Sequence, residues 1–526
     1  MTLAHAARAG LLALAIAASP LLDAKTLRFS SQGDIVTIDP HAQNEGFTNA
    51  FLDHIYEPLV TRGRDLKVEP CLAVSWQAVN PTTMRFKLRP NVRFHDGAAF
   101  TADDVVFSIQ RALADTSNFK PYLAGVREAK KVDDLTVDIL TEGPAPVLIP
   151  QLTEVRMMNR AWATQHNVLK PQDFKNKEET YASRNANGTG QFVLQSREAD
   201  VKTVAVLNSN WWGKAEGNVN EIVYQPIKQD STRIAALLSG DIDFVLDPPP
   251  QDITRLKQDP KLKVVEGNEN RTVFLGMDQW RDELVYSNVK GKNPFKDKRV
   301  REAFQLAIDV NAIKTQVMRG LSIPTAVMFA PQVDGYPKDL DRVKPPDRER
   351  ARKLLAEAGY AQGFEVTLDC PNNRYINDEK ICVAVAAMLA QVNVKVRVNA
   401  MPRATYFPKI QNFDTSFYML GWGVPTFDSQ YAVESLIRTL VPKTADGDYN
   451  LGKYSNPKVD EAIDKLKTEV DPKKRAALAH EASAIHQADV GHIPLHFQVI
   501  PWVMRSNVSV VHRADNKLTV KWVRIQ

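Results

Sequence analysis

An α/β fold spread over more than one domain is what this sequence predicts, and three observations predict it. At 526 residues the chain exceeds what one simple core organises. Short apolar runs of period two alternate along it with capped runs of helical period, the mixture expected of α/β proteins. No internal repeat and no long low-complexity linker breaks that alternation. Composition agrees, because 44% hydrophobic and 25% charged residues are ordinary for a globular protein. The formal charge of +5 comes from 67 basic and 62 acidic residues spread along the chain. No basic tract suits nucleic acid, so no nucleic-acid partner is expected.

The elements follow in order. His5 and Arg8 precede the apolar run 10–18, and Leu22-Asp23-Ala24 offers a small residue at a cleavage point. Residues 1–24 therefore read as a secretory signal peptide, too short for a stable membrane span. Cleavage after Ala17 or Ala18 stays open, and the mature chain is expected to be exported and soluble. Between Leu72 and Leu113, Asn80-Pro81 marks a turn between two β-like runs around Trp76 and Phe86, and His95-Asp96-Gly97 marks a second turn. Thr101 then sits as a helix N-cap with Asp104 three residues on, a short-armed capping box. Val105, Ile109, Ala112 and Leu113 give the apolar face of the helix that follows. Residues 202–207 read as a strand, 348–358 as a helix closed by Gly359, and 364–370 as a strand leading into a helix at 379–390. Val394, Val396 and Val398 alternate with polar residues in a half-buried strand. Asn456-Pro457 opens a helix carrying Val459, Ile463 and Leu466, and Asp471-Pro472 opens the next, over 473–488.

Three cysteines remain. Cys370 ends a strand and Cys382 lies in the first turns of the next helix, so in an oxidising compartment these two can pair or stay free. Cys71 reads as a buried free thiol without a base to activate it. The sequence Leu72–Leu113 also resembles the signature region of the family 5 extracellular solute-binding proteins, the dipeptide, oligopeptide and nickel receptors of ABC importers. Leu72-Ala73-Val74-Ser75-Trp76, then Leu88 through His95-Asp96-Gly97, then Thr101-Ala102-Asp103-Asp104-Val105-Val106-Phe107-Ser108 keep that family's order. Further landmarks follow in order: Gly188-Thr189-Gly190, Trp211-Trp212-Gly213, Gly240-Asp241, Pro294–Arg301, Leu354–Tyr360, Tyr454–Pro457 and Ile493-Pro494-Leu495.

The resemblance implies a two-lobed periplasmic-binding-protein fold with an extra α+β domain inserted in the first lobe. Lobe one is expected over 25–60, 192–268 and 491–526, the inserted domain over 61–191, and lobe two over 269–490. The crossings are expected near 268–273 and 491–497. It also implies a periplasmic receptor that closes its lobes over a short peptide, a peptide-like compound or a small polar organic solute. Its partners would be that solute and an inner-membrane ABC permease with ATPase subunits. A monomer without cofactor or enzyme activity is expected.

Three segments are candidate ligand contacts. Asn44 and Glu45 lie in the polar loop 43–46, where the family's first lobe approaches the solute. Arg374 and Tyr375 lie between the strand 364–370 and its helix, where dipeptide receptors carry an Arg that grips a carboxylate through its two-pronged guanidinium. Trp422 is expected to wall the cleft within Gly421–Asp428, a segment that also holds Phe427 and Asp428. Peptide receptors of the family place an Asp soon after the Gly-Trp pair to receive an ammonium. This chain has Pro425 there, and Asp428 is the nearest acid. Other residue clusters read as structural: Trp211-Trp212 as packing, and Lys473-Lys474-Arg475 and 347–352 as solvated helix faces. His492 and His496 on one extended segment would stand about 13 Å apart, too far for one metal ion. No catalytic or metal residue is assigned. The alternatives are a secreted, peptide-acting, metal-dependent hydrolase and a signalling or chaperone-like receptor without transport.

Overall fold

The structure is a computed structural model that describes residues 25–526, so the signal-peptide reading of 1–24 lies outside the described residues. An eleven-stranded mixed sheet forms the spine. From one edge it runs Lys395–Met401, Glu365–Pro371, Phe417–Gly423, Leu262–Met277 and His492–Arg505, then Phe244–Val245, Lys25–Ser30, Val219–Tyr224, Lys202–Leu207 and Phe192–Glu198. Ser322–Pro324 pairs with His492–Arg505 off this path. The two longest strands lie in the middle and pair antiparallel with each other, and their ladder is interrupted between Asn268 and Thr272. On one side of that interruption Leu262 faces Arg505, and on the other Gly276 faces His492. Phe417–Leu420, within the strand Phe417–Gly423, is apolar and buried throughout, as expected of a strand covered on both faces.

A separate four-stranded antiparallel sheet is built from Ala73–Asn80, Thr83–Leu88, Thr136–Thr141 and Val126–Asp133. Its first hairpin turns at Asn80-Pro81 and sets Trp76 opposite Phe86. The helix Ala102–Ala112 packs on this sheet with Val105 and Ile109 buried, and the Asp104 carboxylate accepts the Thr101 N–H at 2.9 Å. Gly97 takes φ +89°, the left-handed conformation that makes a glycine useful at this turn. His95 serves backbone groups: its Nδ1 accepts from Gly188 N–H at 3.3 Å and its Nε2 bonds Gly190 carbonyl oxygen at 3.1 Å.

In the other half, helices Pro457–Thr468 and Pro472–Ala488 start at the Asn456 and Asp471 caps. The second begins one residue earlier than the sequence suggests, because Pro472 occupies the first helical turn, where its missing N–H costs nothing. The basic run at its start needs a correction. Lys473 and Lys474 are exposed, but Arg475 is buried and forms an ion pair with Asp428 at 2.8 Å while donating to the Leu466 carbonyl. Arg475 lies two residues from Lys473 on the helix and so falls on a different face of it.

Cys370 and Cys382 are joined in a disulfide, with Cα atoms 6.7 Å apart, and Cys71 is buried and free. The bond ties the strand Glu365–Pro371 to the helix Asp378–Ala390, closing the loop that carries Arg374. Denatured, unreduced protein should therefore react with one equivalent of a thiol reagent. Three equivalents would mean that the bridge is absent.

Candidate ligand cavity

The sheet brings several strand ends to one place. Arg374 and Tyr375 follow the carboxyl end of Glu365–Pro371, and Arg403 follows that of the neighbouring parallel strand Lys395–Met401. In open α/β sheets such ends are where ligands gather. Opposite them the short helix Gly46–Leu52 begins, with Glu45 as its N-cap. Between these parts lies a cavity of about 70 Å³, walled by Asn44, Glu45, Asn49, Arg374, Tyr375 and Trp422, with Tyr122, Arg271 and Tyr431 completing it. A smaller chamber of about 50 Å³ adjoins it, lined in part by Arg403, and shares Gly46, Arg271, Arg374 and Asp515.

Glu45 is the electrostatic centre. Its carboxylate accepts the N–H groups of Phe47 and Thr48 and the Thr48 hydroxyl, and pairs with Arg374 at 2.6 Å and Arg403 at 3.2 Å. Burial pushes this carboxyl up, but the two guanidiniums and the Thr48 bonds outweigh that and hold it at about 2. Polar loop residues were the sequence expectation here. The structure shows a committed cap and counter-ion. A folded-state value below the unfolded one gives stability that is present above the unfolded value and lost as pH falls. The gap in thermal stability between wild type and Glu45→Gln should therefore close as pH drops from about 4.5 toward about 2. A gap that stays constant over that range would contradict the pairing.

The loop carrying Arg374 is fixed from beneath. Asp378 accepts the N–H groups of Arg374 at 2.8 Å and Tyr375 at 3.0 Å, and burial pushes its carboxyl up to about 7. The Tyr375 hydroxyl accepts Gly421 N–H at 2.8 Å and lies 3.2 Å from Gly421 carbonyl oxygen. A side chain at Gly421 would meet the Tyr375 ring at 2.6 Å, so this approach requires glycine. Gln32 reaches across to donate to the Tyr375 carbonyl at 2.9 Å. At Gly46, likewise, a Cβ would lie 3.0 Å from Arg271 Nη2 and 3.1 Å from Arg374 Nη2, so both guanidiniums reach over the helix start.

The aromatic wall is continuous. Trp422 stacks on Tyr431 with centroids 5.2 Å apart, and Tyr431 stacks on Tyr122 at 4.8 Å. Asn44 donates to the Tyr431 hydroxyl at 2.9 Å and accepts from the Tyr122 hydroxyl at 3.1 Å. The indole Nε1 of Trp422 is buried without a hydrogen-bond partner, as is Asn49 Oδ1. The Tyr449 hydroxyl on the same wall is likewise buried without a hydrogen-bond partner, so the cavity presents several unsatisfied polar atoms.

Five of the seven sequence candidates thus meet at the cavity: Asn44, Glu45, Arg374, Tyr375 and Trp422. Phe427 and Asp428 do not line it. Phe427 lies under the Arg62 guanidinium at 4.8 Å, and Asp428 caps the helix Ser429–Leu436 and pairs with Arg475. Arg271, Arg403, Tyr122 and Tyr431 belong to the walls without having been singled out by sequence. Among them Arg271 falls within the expected crossing 268–273, and Arg403 lies a short way past the predicted strand that carries Val394, Val396 and Val398. Elsewhere, Trp211 and Trp212 both donate their indole N–H to the buried Glu57 carboxylate, a structural bond. His492 and His496 share one strand, and His492 Nδ1 lies 2.9 Å from His486 Nε2. Among the described residues no group of three or more His, Cys, Asp or Glu is arranged to hold a metal ion.

Comparison with known proteins gives a consistent answer. The sequence model described as bacterial extracellular solute-binding proteins, family 5 Middle, matches residues 67–439. The glutathione-binding protein GsiB of Pectobacterium atrosepticum is 27% identical over 517 residues, covering 96% of this chain and 93% of that protein. The heme-binding protein A of Haemophilus influenzae is 26% identical over 474 residues, covering 85% and 82%. Among solved structures, the periplasmic binding protein DppA from Helicobacter pylori in complex with the peptide STSA superposes with a TM-score of 0.84 at 22% identity, covering 95% of this chain and 98% of that one. The binding protein AgaA from A. tumefacien R10 in complex with agropinic acid gives 0.83 at 21% identity, covering 95% and 99%. These likenesses show the two-lobed binding-protein fold.

Proposed function

The chain belongs to the bacterial extracellular solute-binding proteins of family 5, and from that premise we propose that it captures a small polar organic or peptide-like solute in the cavity between Arg374 and Trp422. In this reading residues 1–24 direct export to the periplasm and are removed. Lobe one comprises 25–60, 192–268 and 491–526, lobe two 269–490, and the inserted domain 61–191. The interrupted ladder between Asn268 and Thr272 supports a crossing there. The loaded, closed form is then offered to an inner-membrane permease with its ATPases. Closure selects the solute because only a molecule touching both lobes favours the closed state.

The observation that carries this reading is the buried, unpartnered Trp422 indole N–H on the wall of a cavity that Arg374 also faces. Arg374 orients an acidic group by charge and fork geometry, and Trp422 and Tyr431 supply apolar contact and one donor. No bond is made or broken. Native mass spectrometry of gently purified protein, followed by denaturation, tests it. One released small molecule per chain is expected. Protein that is empty as isolated and takes up nothing from a dialysable cell extract would overturn it.

A further inference from the structure

We propose that the solute bears a free α-amino-acid head, an ammonium and a carboxylate on one carbon, seated in the smaller chamber with its ammonium on Asp247 and Gln498. The proposal rests on the cavity reading above and narrows its substrate class. Asp247 and Gln498 line that chamber, and Asp247 Oδ1 and Gln498 Oε1 are both buried without a hydrogen-bond partner among the described residues. The other Asp247 oxygen accepts the Ser31 hydroxyl and the Gln32 N–H, each at 2.9 Å. Arg233 leaves Oδ1 unmet. Its Nε stands 3.4 Å away without a hydrogen bond, and its closer ion pair is with Asp230 at 2.8 Å. Burial pushes the Asp247 carboxyl up, as expected of a charge that its neighbours leave short of partners. Gln498 gives its Nε2 to Glu269 at 3.2 Å, and that bond fixes which end of the amide is the acceptor. The other two acids lining the chamber are engaged, Glu269 with Arg271 at 3.0 Å and Asp515 with Arg513 at 2.7 Å.

An ammonium brings several donors and a positive charge, so it can meet a carboxylate oxygen and an amide oxygen together. A lone cation would not suit this chamber, because Arg271, Arg374 and Arg403 line it as well. Arg271 has Glu269, but Arg374 and Arg403 share the single carboxylate of Glu45. Arg403 Nε is buried without a partner, and Arg374 Nε, 2.6 Å from Glu45, has no aligned hydrogen bond. A carboxylate carried next to the ammonium answers those donors and offsets the repulsion. The chamber holds only about 50 Å³, so the two groups must stand close, and one shared carbon is the smallest link between them. Gly46 and Arg374 line both chambers, so the rest of the solute runs past them toward Trp422.

The test uses the whole protein and the solute released from wild type. Hot ninhydrin frees carbon dioxide from a free α-amino-acid head and none from an ordinary peptide, so one equivalent per solute is expected. A solute that yields none would overturn the proposal while leaving solute capture intact, whereas no solute at all would remove the capture reading and this proposal together. Acetylating the solute's amine should weaken its rebinding to dialysed wild type by roughly tenfold or more, the loss of a charge-assisted bond. Asp247→Asn should bind the free solute more weakly than wild type by a similar factor and the acetylated solute equally well, a pattern that general loss of packing would not give. Gln498→Met gives the same readout if Asp247→Asn does not fold. Unimpaired rebinding of the acetylated solute, or a folded variant that keeps the wild-type preference for the free amine, would overturn the proposal.

Discussion

Arg374→Met should weaken solute binding by about 2 kcal/mol or more, roughly 30-fold in Kd, because truncating one member of a buried charge pair leaves its partner uncompensated. The guanidinium is tied down in the folded protein. Asp378 holds its backbone, Tyr375 docks on Gly421 and the Cys370–Cys382 bridge closes the loop, so little ordering is left for the solute to impose. The same substitution leaves Arg403 as the sole cation beside Glu45 in the pairing that wild type shares between two. Titration calorimetry with the captured solute reads the change. Unchanged affinity would remove Arg374 from the recognition of the solute.

The second large effect is on stability. Arg111→Met should destabilise the protein by about 3–5 kcal/mol, since it strands Asp39 in the interior. Both side chains are fully buried, and two parallel bonds of 2.6 Å join them. Arg111 also donates to the carbonyls of Val168 and Lys170, so it fastens the helix Ala102–Ala112 to the 37–41 segment and to the 168–172 loop. Burial alone would push the Asp39 carboxyl up, but Arg111 and the N–H groups of Gln172 and His41 hold it below its usual range. Its contribution is thus present above the unfolded value and lost as pH falls through the folded one. The stability gap between wild type and Arg111→Met should therefore narrow as pH falls, because wild type loses the contribution of the pair while protonation relieves the stranded Asp39. A variant as stable as wild type in urea would mean that the pair contributes nothing net.

Much of the fold was legible because its local signals agree with its packing. The capping box at Thr101 and Asp104, the turns at Asn80 and Gly97, and the caps at Asn456 and Asp471 are encoded within a few residues of where they act. Arg475 was not legible. Its neighbours Lys473 and Lys474 made it look like part of a solvated run, and only the position of Asp428 in space turns it inward. The site divided along the same line. Arg374 and Trp422 were found because their loops resemble ligand loops of family 5, the one by its Arg after the strand 364–370 and the other by its Gly-Trp pair. Tyr122 and Tyr431 line the cavity from segments far apart in sequence, and no local pattern announces them. Asp428 was the nearest acid along the chain to Trp422, but a cap and an ion pair turn it away.

A crystal structure of the protein as isolated, with its captured solute, tests the central claim most directly. Density is expected in the chamber between Arg374 and Trp422, with an acidic group within hydrogen-bond reach of the Arg374 fork and an acceptor on the Trp422 indole N–H. A solute lodged elsewhere, with that chamber holding only water, would contradict the account.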